Sequence, residues 1–132
     1  MSDSITFRFV KRDLEPGDED EISPAVHVWY GGEEFLETVK GFIDWLHEEI
    51  ERRKVGRIET PVDRLEPGAV VATFLLWLEN VSSLQTDLFR GDPTLYSEVR
   101  DGHSWNGNWD FDLISGQRKK TFKGRKEMME GD

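Results

Sequence analysis

The sequence predicts an α+β domain, in which an antiparallel sheet of about four to six strands carries one long amphipathic helix on one face. Two patterns predict this class. Apolar and polar residues alternate near both ends of the chain, as in half-buried strands, and apolar residues recur at helical spacing over residues 33–54. The length of 132 residues suits one continuous core, and we assign residues 1–117 to a single domain.

The N-terminal region predicts two strands separated by an acidic loop. Ile5, Phe7 and Phe9 alternate with mostly polar neighbours, which is the pattern of a strand with one buried face. Residues 13–24 are acidic and interrupted by proline and glycine, so we expect a surface loop there. Residues 25–30 form the second predicted strand, because they are largely apolar and end at a glycine pair.

The strongest periodic signal in the chain is the helix predicted over residues 33–54. Its apolar side chains recur at helical spacing, so they form one stripe that faces a core. They are Phe35, Leu36, Val39, Phe42, Ile43, Leu46 and Ile50. Acidic residues at the start of this segment and basic residues at its end oppose the partial charges of the helix termini.

The second half of the chain predicts a loop, a third strand and a hairpin. Residues 56–68 contain two prolines and predict a connecting loop. Residues 70–78 are apolar at odd and even positions, which is typical of a strand buried on both faces and also of a buried helix. We favour the strand, because the segment begins with β-branched residues after a Pro-Gly turn. Beyond a turn at residues 90–93, residues 94–100 and 108–114 form a candidate hairpin.

The C-terminal residues 118–132 are predicted to form a basic, flexible tail. Six of the nine residues from 118 to 126 are lysine or arginine. Two alternatives stay open. The tail could be a strap that docks on the protein's own acidic surface with Phe122 as its anchor, or an arm for an anionic partner.

Composition narrows the classes of function. The net charge of −10 disfavours nucleic acid and anionic membranes and favours a basic protein partner, although acidity also serves solubility alone. The chain has no cysteine, which excludes disulfides, thiolate zinc sites and a cysteine nucleophile. We see no signal-peptide pattern, and the longest nearly apolar run is too short to span a membrane. We therefore expect a cytoplasmic protein.

The candidate binding residues lie in the segment 101–112 and beside the first glycine pair. This segment combines two turn dipeptides with two tryptophans and one of the three histidines of the chain. An exposed tryptophan in a turn either folds back on the core or contacts a partner, and tryptophan is enriched at binding hot spots. The predicted partner-binding residues are Trp29, Tyr30, His103, Trp105, Asn108, Asp110 and Asp112.

We predict no catalytic residue, metal site or cofactor from these side chains. Asn108, Asp110 and Asp112 alternate like the ligands of a calcium loop, but the glycine and the distal glutamate of that loop are missing, so a polar strand face explains them. His103 has an acid and a serine beside it in the sequence, yet the groups of a catalytic triad normally converge from distant segments.

The sequence therefore favours a non-enzymatic, acidic protein-binding module. It would act as an inhibitor, an immunity-type or an anti-defence protein that occludes a basic or nucleic-acid-processing partner. One alternative is a small hydrolase or ligand-binding domain with its site at residues 101–112. That class requires a concave pocket containing His103 and a carboxylate from another segment. The other alternative is a structural subunit of a larger assembly, such as a homo-oligomer that forms through a sheet edge.

Overall fold

The computed structural model describes residues 3–12, 19–29, 31–54, 56, 58–84 and 93–130. Within these residues, a mixed sheet is packed against helices, so the α+β class is confirmed. The strands are β1 (Ile5–Lys11), β2 (Glu21–Ile22), β3 (Ala25–Val28), β4 (Thr94–Tyr96), β5 (Asn108–Asp112) and β6 (Arg118–Phe122). The helices are a short 3-10 turn (Gly32–Glu34), α1 (Phe35–Arg53), α2 (Pro67–Leu84) and α3 (Arg125–Glu130).

The strands follow the order β4-β3-β1-β5-β6, and β2 pairs with β1 as well. The expectation of a purely antiparallel sheet is wrong at the centre, where β1 and β5 run parallel and place Phe9 opposite Phe111. The predicted hairpin of residues 94–100 and 108–114 is also wrong. Strand β4 pairs with β3, and β5 pairs with β1 and β6, so two strands separate the expected partners. Strand β5 carries the buried Phe111, which suits an interior position better than a terminal hairpin.

The acidic segment expected to be a loop over residues 13–24 contains a short strand. Its residues 21–22 form β2, which pairs antiparallel with Val10 and Lys11 of β1. Residues 13–18 lie outside the described part of the chain. The strand predicted over residues 25–30 is confirmed as β3 over residues 25–28, and residue 30 lies outside the described part of the chain.

The core lies between one sheet face and the helices α1 and α2. The helix predicted over residues 33–54 is confirmed, with a 3-10 turn before α1, and α1 buries the stripe from Phe35 to Leu46. Phe74 of α2 meets the rings of Phe7, Phe9 and Phe42 at centroid distances of 5.4, 5.7 and 5.0 Å. These edge-to-face contacts join both helices to β1.

The strand favoured for residues 70–78 is wrong, because this segment belongs to α2. Val70, Phe74 and Leu78 are buried at intervals of four residues, while Leu76 is 66% exposed. One buried stripe with an exposed opposite side is the pattern of an amphipathic helix. The segment therefore follows the alternative of a buried helix, and no helix in the described ranges is long and apolar enough to cross a membrane.

The flexible tail expected from residue 118 is wrong as far as residue 130, because the chain continues there as β6 and α3. Two of its cations have partners within the fold. Arg118 contacts Glu37 of α1 at 3.0 Å, and Arg118 and Lys120 lie over the ring of Trp109 at 5.8 and 5.1 Å. Of the alternatives, this arrangement agrees with a strap that docks on the protein itself, and it extends the sheet beyond the domain boundary expected at residue 117.

Candidate functional site

The sheet face turned away from α1 and α2 carries the polar residues, and we call it the open face. Successive residues of a strand point to opposite faces. Because Ile5, Phe7 and Phe9 enter the core, Thr6 and Arg8 lie on the open face. By the strand register, His27 of β3 pairs with Thr6, and Asp110 of β5 pairs with Arg8.

Among the described residues, two concave regions of the open face stand out. The first, which we call the histidine pocket, has a volume of about 220 Å³. Its lining includes Ser4, His27, Trp29, His103, Trp105 and Arg125. The second, which we call the charged groove, has a volume of about 340 Å³. Its lining includes Val10, Arg12, Asp110, Asp112, Lys119 and Thr121.

Turn chemistry fixes the segment that closes one side of the histidine pocket. The backbone amide of Trp105 donates to Oγ of Ser4 at 2.9 Å, and Oγ of Ser104 donates to the carbonyl oxygen of Gly107 at 2.7 Å. Gly107 has a φ of 89°, and a Cβ there would lie 2.8 Å from the carbonyl oxygen of Phe122. Glycine is therefore required at this position for the segment to pass beside the end of β6.

His27 is the most buried polar side chain of the pocket, at 3% exposure. Its Nδ1 lies 2.9 Å from Oγ1 of Thr6, whereas its Nε2 is buried and has no hydrogen-bond partner within the described structure. Three aromatic rings meet the imidazole edge to face, those of Trp29 at 4.6 Å, His103 at 5.6 Å and Tyr96 at 5.7 Å. Burial lowers the pKa of His27 to about 4, and the neighbouring His103 adds to this effect.

His103 is also neutral at pH 7. Its ring contacts that of Tyr96 at 4.5 Å, and partial burial lowers its pKa below the ordinary value, with a further contribution from the charge of Arg100. Both imidazoles are thus uncharged at neutral pH, and Arg125 brings a cation to the lining of the pocket.

The pocket meets only half of what a hydrolase would require. It is concave and contains His103, but no carboxylate side chain is among its described lining residues. Ser104 lies beside His103, yet its hydroxyl is buried and donates to the carbonyl oxygen of Gly107. A general base needs an orienting group, and a nucleophilic serine needs a base. The described lining of the pocket thus lacks the orienting carboxylate that a triad of this kind would use.

Asp110 and Asp112 of the charged groove serve the fold itself. Asp110 accepts two hydrogen bonds from Arg8, from Nε and Nη2, both at 2.8 Å. Oδ1 of Asp112 accepts the backbone amides of Ile114 at 2.8 Å and Ser115 at 3.2 Å, and Oδ2 lies 3.6 Å from Nε of Arg12. Both side chains are thus held within the sheet and its following turn.

Asn108 is buried between β5 and β6 rather than exposed to a partner. Its Nδ2 donates to Oγ1 of Thr121 at 2.8 Å, and its Oδ1 has no hydrogen-bond partner within the described structure. The calcium-like alternation of β5 is therefore a polar strand face. In the described ranges, no group of three or more acidic or histidine side chains is placed to hold a metal ion.

The structure divides the predicted binding residues into two groups. Trp29, His103 and Trp105 come together in the histidine pocket, while Asp110 and Asp112 line the charged groove. Tyr30 lies outside the described residues.

Sequence reasoning assigned no role to His27, which stands between two valines in β3. Its alternation with Val26 and Val28 could have placed it on the polar face, but its neighbours there come from elsewhere in the chain.

One fold can carry many functions, so the function of this chain depends on the chemistry of its site. The chain was compared with protein-family models, with curated proteins and with solved structures, and it matches none of them.

Proposed function

We propose that this protein is a non-enzymatic binding module that recognises a basic protein partner through the open face of its sheet. The observation that carries this proposal is the histidine pocket, which gathers aromatic side chains from two distant segments. Trp29 is 49% exposed at this site, and Trp105 is partly buried beside it. Burial of such rings supplies much of the affinity at protein interfaces.

The distribution of charge supports a basic partner. The chain has 27 acidic residues against 17 lysines and arginines. Cations such as Arg8, Arg64 and Arg118 are engaged in ion pairs with the protein's own carboxylates. The remaining negative charge would attract a basic protein over a distance of about 10 Å at ordinary ionic strength and would accelerate association.

The role that we propose is that of an inhibitor, an immunity-type or an anti-defence protein in the cytoplasm. Such a protein acts by occluding its target, so it needs complementary charge and aromatic anchors rather than catalytic groups. A chain without cysteine depends on no disulfide, which suits a reducing compartment. Self-association through the β6 edge is less favoured, because Arg118, Lys119 and Lys120 place like charges along that strand.

The test is affinity capture from a lysate of the source organism with three immobilised proteins at low and high salt. They are the wild type, the Trp29→Ala/Trp105→Ala variant and a Leu76→Ala control. Leu76 is 66% exposed on α2, so its replacement removes apolar surface away from the open face. We expect a basic protein to bind the wild type and the control, to elute with salt and to be lost from the double variant. Equal capture by the double variant would contradict the proposal.

A small-ligand-binding domain is the second candidate function. The concavity at His103 favours it, because that class requires a pocket at this position. It differs from the first candidate in one measurable way. In that case a small molecule would be the occupant of the histidine pocket, and no protein would bind through Trp29 and Trp105.

A further inference from the structure

We propose that the histidine pocket receives one tyrosine side chain of the partner protein and that the tyrosine hydroxyl group hydrogen-bonds to Nε2 of His27. This inference rests on the proposed function, since it names the group that the partner inserts. Four properties of the pocket support it, namely its size, its walls, its unpaired polar atom and its charge.

The size of the pocket suits a single side chain. Sites for drug-sized ligands typically have volumes of about 300–1,000 Å³. The histidine pocket has about 220 Å³, so it is smaller than these sites. One planar side chain projecting from a protein surface matches such a volume, and the rest of the partner would then contact the open face around it.

The walls of the pocket favour an aromatic guest. The lining rings of Trp29 and His103 meet His27 edge to face, and Trp105 lines the pocket as well. Aromatic pairs prefer edge-to-face and offset-stacked arrangements, in which the positive edge of one ring meets the negative face of another. A guest ring can continue this pattern, whereas a branched aliphatic side chain would gain only burial.

The unpaired Nε2 atom favours a hydroxyl group on the guest. Nδ1 of His27 is occupied by Thr6, so Nε2 is the ring nitrogen that a guest can meet. The tautomer decides whether Nε2 donates or accepts. A hydroxyl group can do both, so it satisfies Nε2 in either tautomer, whereas a carboxylate can only accept and an ammonium group can only donate.

Charge disfavours a cationic or an anionic guest at this depth. Arg125 is part of the lining, so a lysine or arginine of the partner would meet a like charge. The lowered pKa of His27 leaves it neutral at pH 7, so it offers no positive charge to a buried carboxylate. Tyrosine is the side chain that combines a planar ring, a hydroxyl group and no charge. The cations of a basic partner would pair with carboxylates outside the pocket.

Trp29 is the most exposed of the three rings around His27. Its ring is the nearest of the three that surround His27, with 4.6 Å between the centroids, and it is half exposed. Turning Trp29 outward therefore sacrifices less buried contact than moving His103 or Tyr96. We expect Trp29 to change its rotamer when the tyrosine enters and to stack on the guest ring.

The test uses isolated probes and the full-length protein. N-acetyl-tyrosinamide, N-acetyl-phenylalaninamide and N-acetyl-argininamide are titrated separately, and the ¹⁵N resonances of the histidine side chains are followed by NMR. We expect the tyrosine probe to bind with a saturable shift of His27 Nε2. The phenylalanine probe should bind roughly tenfold more weakly, because it lacks the hydrogen bond to Nε2. The arginine probe should leave the His27 resonances unchanged.

Surface variants keep the test independent of folding. Trp105→Ala should weaken binding of the tyrosine probe several-fold, whereas Leu76→Ala should leave it unchanged. Equal affinity for the phenylalanine probe, preference for the arginine probe, or no saturable His27 shift with the tyrosine probe would overturn the inference. If the probe fails while a basic protein is still captured through Trp29 and Trp105, the proposed function stands without the tyrosine. If the probe binds and no protein is captured, the proposed function falls and the pocket belongs to a small phenolic ligand.

Discussion

Acidification should destabilise this protein through His27. The pKa of this side chain is 6.5 in an unfolded chain and about 4 in the native state, where burial disfavours the charged imidazolium. Well above pH 6.5 both states are neutral, and the full contribution to stability is present. Between pH 6.5 and pH 4 the unfolded chain binds the proton first, so the free energy of unfolding falls as the pH falls. Below pH 4 the native state is protonated too, and the loss levels off.

The size of this loss follows from the difference between the two pKa values of His27. It amounts to roughly 3 kcal/mol when the titration is complete and to about 2–3 kcal/mol at pH 4.5. Because small domains are stable by only about 5–15 kcal/mol, the effect is large enough to measure. Urea unfolding at pH 7 and pH 4.5 gives the free energy of unfolding at both values.

The control is His27→Asn, in which the amide can still hydrogen-bond to Oγ1 of Thr6 but does not titrate. Carboxylates contribute similarly to both proteins, so the difference between their pH dependences isolates His27. We expect the wild type to lose about 2–3 kcal/mol more than the variant between pH 7 and pH 4.5. In His103→Asn, the loss should level off at a higher pH, because His103 helps to lower the pKa of His27. Parallel pH dependences in wild type and His27→Asn would refute the reasoning.

Further predictions concern the core, the close approach of Gly107 to the end of β6, and the charged groove. Phe74→Ala should lower the free energy of unfolding by about 3–5 kcal/mol, because this ring joins both helices to β1, and a loss below about 1 kcal/mol would contradict that role. Gly107→Ala should destabilise by roughly 1–3 kcal/mol, since φ is 89° and the new Cβ would meet the carbonyl oxygen of Phe122 at 2.8 Å. Gly41→Ala in α1 is its matched control and should stabilise by up to about 1 kcal/mol, because nothing lies within 4 Å of the new Cβ. Urea unfolding gives the free energy of unfolding of both variants, and equal changes in the two would contradict the strain expected at Gly107. For the bidentate pair of Arg8 and Asp110, a double-mutant cycle with Arg8→Met and Asp110→Asn should give a coupling of about 1 kcal/mol or more, whereas additive losses would show that the pair adds nothing.

The elements predicted correctly from the sequence are those in which a local pattern shows which side chains are buried. Ile5, Phe7 and Phe9 alternate along one strand, and the stripe of α1 repeats over several turns. Residues 70–78 were misassigned because few polar residues mark an exposed side there. The intervals between Val70, Phe74 and Leu78 already carried the helical period, but the apolar residues between them concealed it.

Pairing between distant strands could not be derived from local patterns. Turn signals predict hairpins between neighbouring segments, yet β5 pairs in parallel with β1, about a hundred residues earlier, and Arg8 meets Asp110 across that pair. The composition of the histidine pocket could not be derived from local patterns either. Turn chemistry singled out Trp105 and His103, but their proximity to His27 and Trp29 depends on how residues 101–107 pass over the sheet.

The hydrogen bonds on the open face show why we place the binding site in the histidine pocket rather than in the charged groove. In the groove, Asp110 is paired with Arg8, and Asp112 accepts two backbone amides, so their binding capacity is used within the fold. A buried polar atom without a partner costs about 1–3 kcal/mol, and native proteins retain few of them. Within the described residues the two such side-chain atoms are Nε2 of His27 and Oδ1 of Asn108. Asn108 lines neither concave region, whereas His27 lines the pocket, so the unpaired Nε2 of His27 is the one that a guest can satisfy.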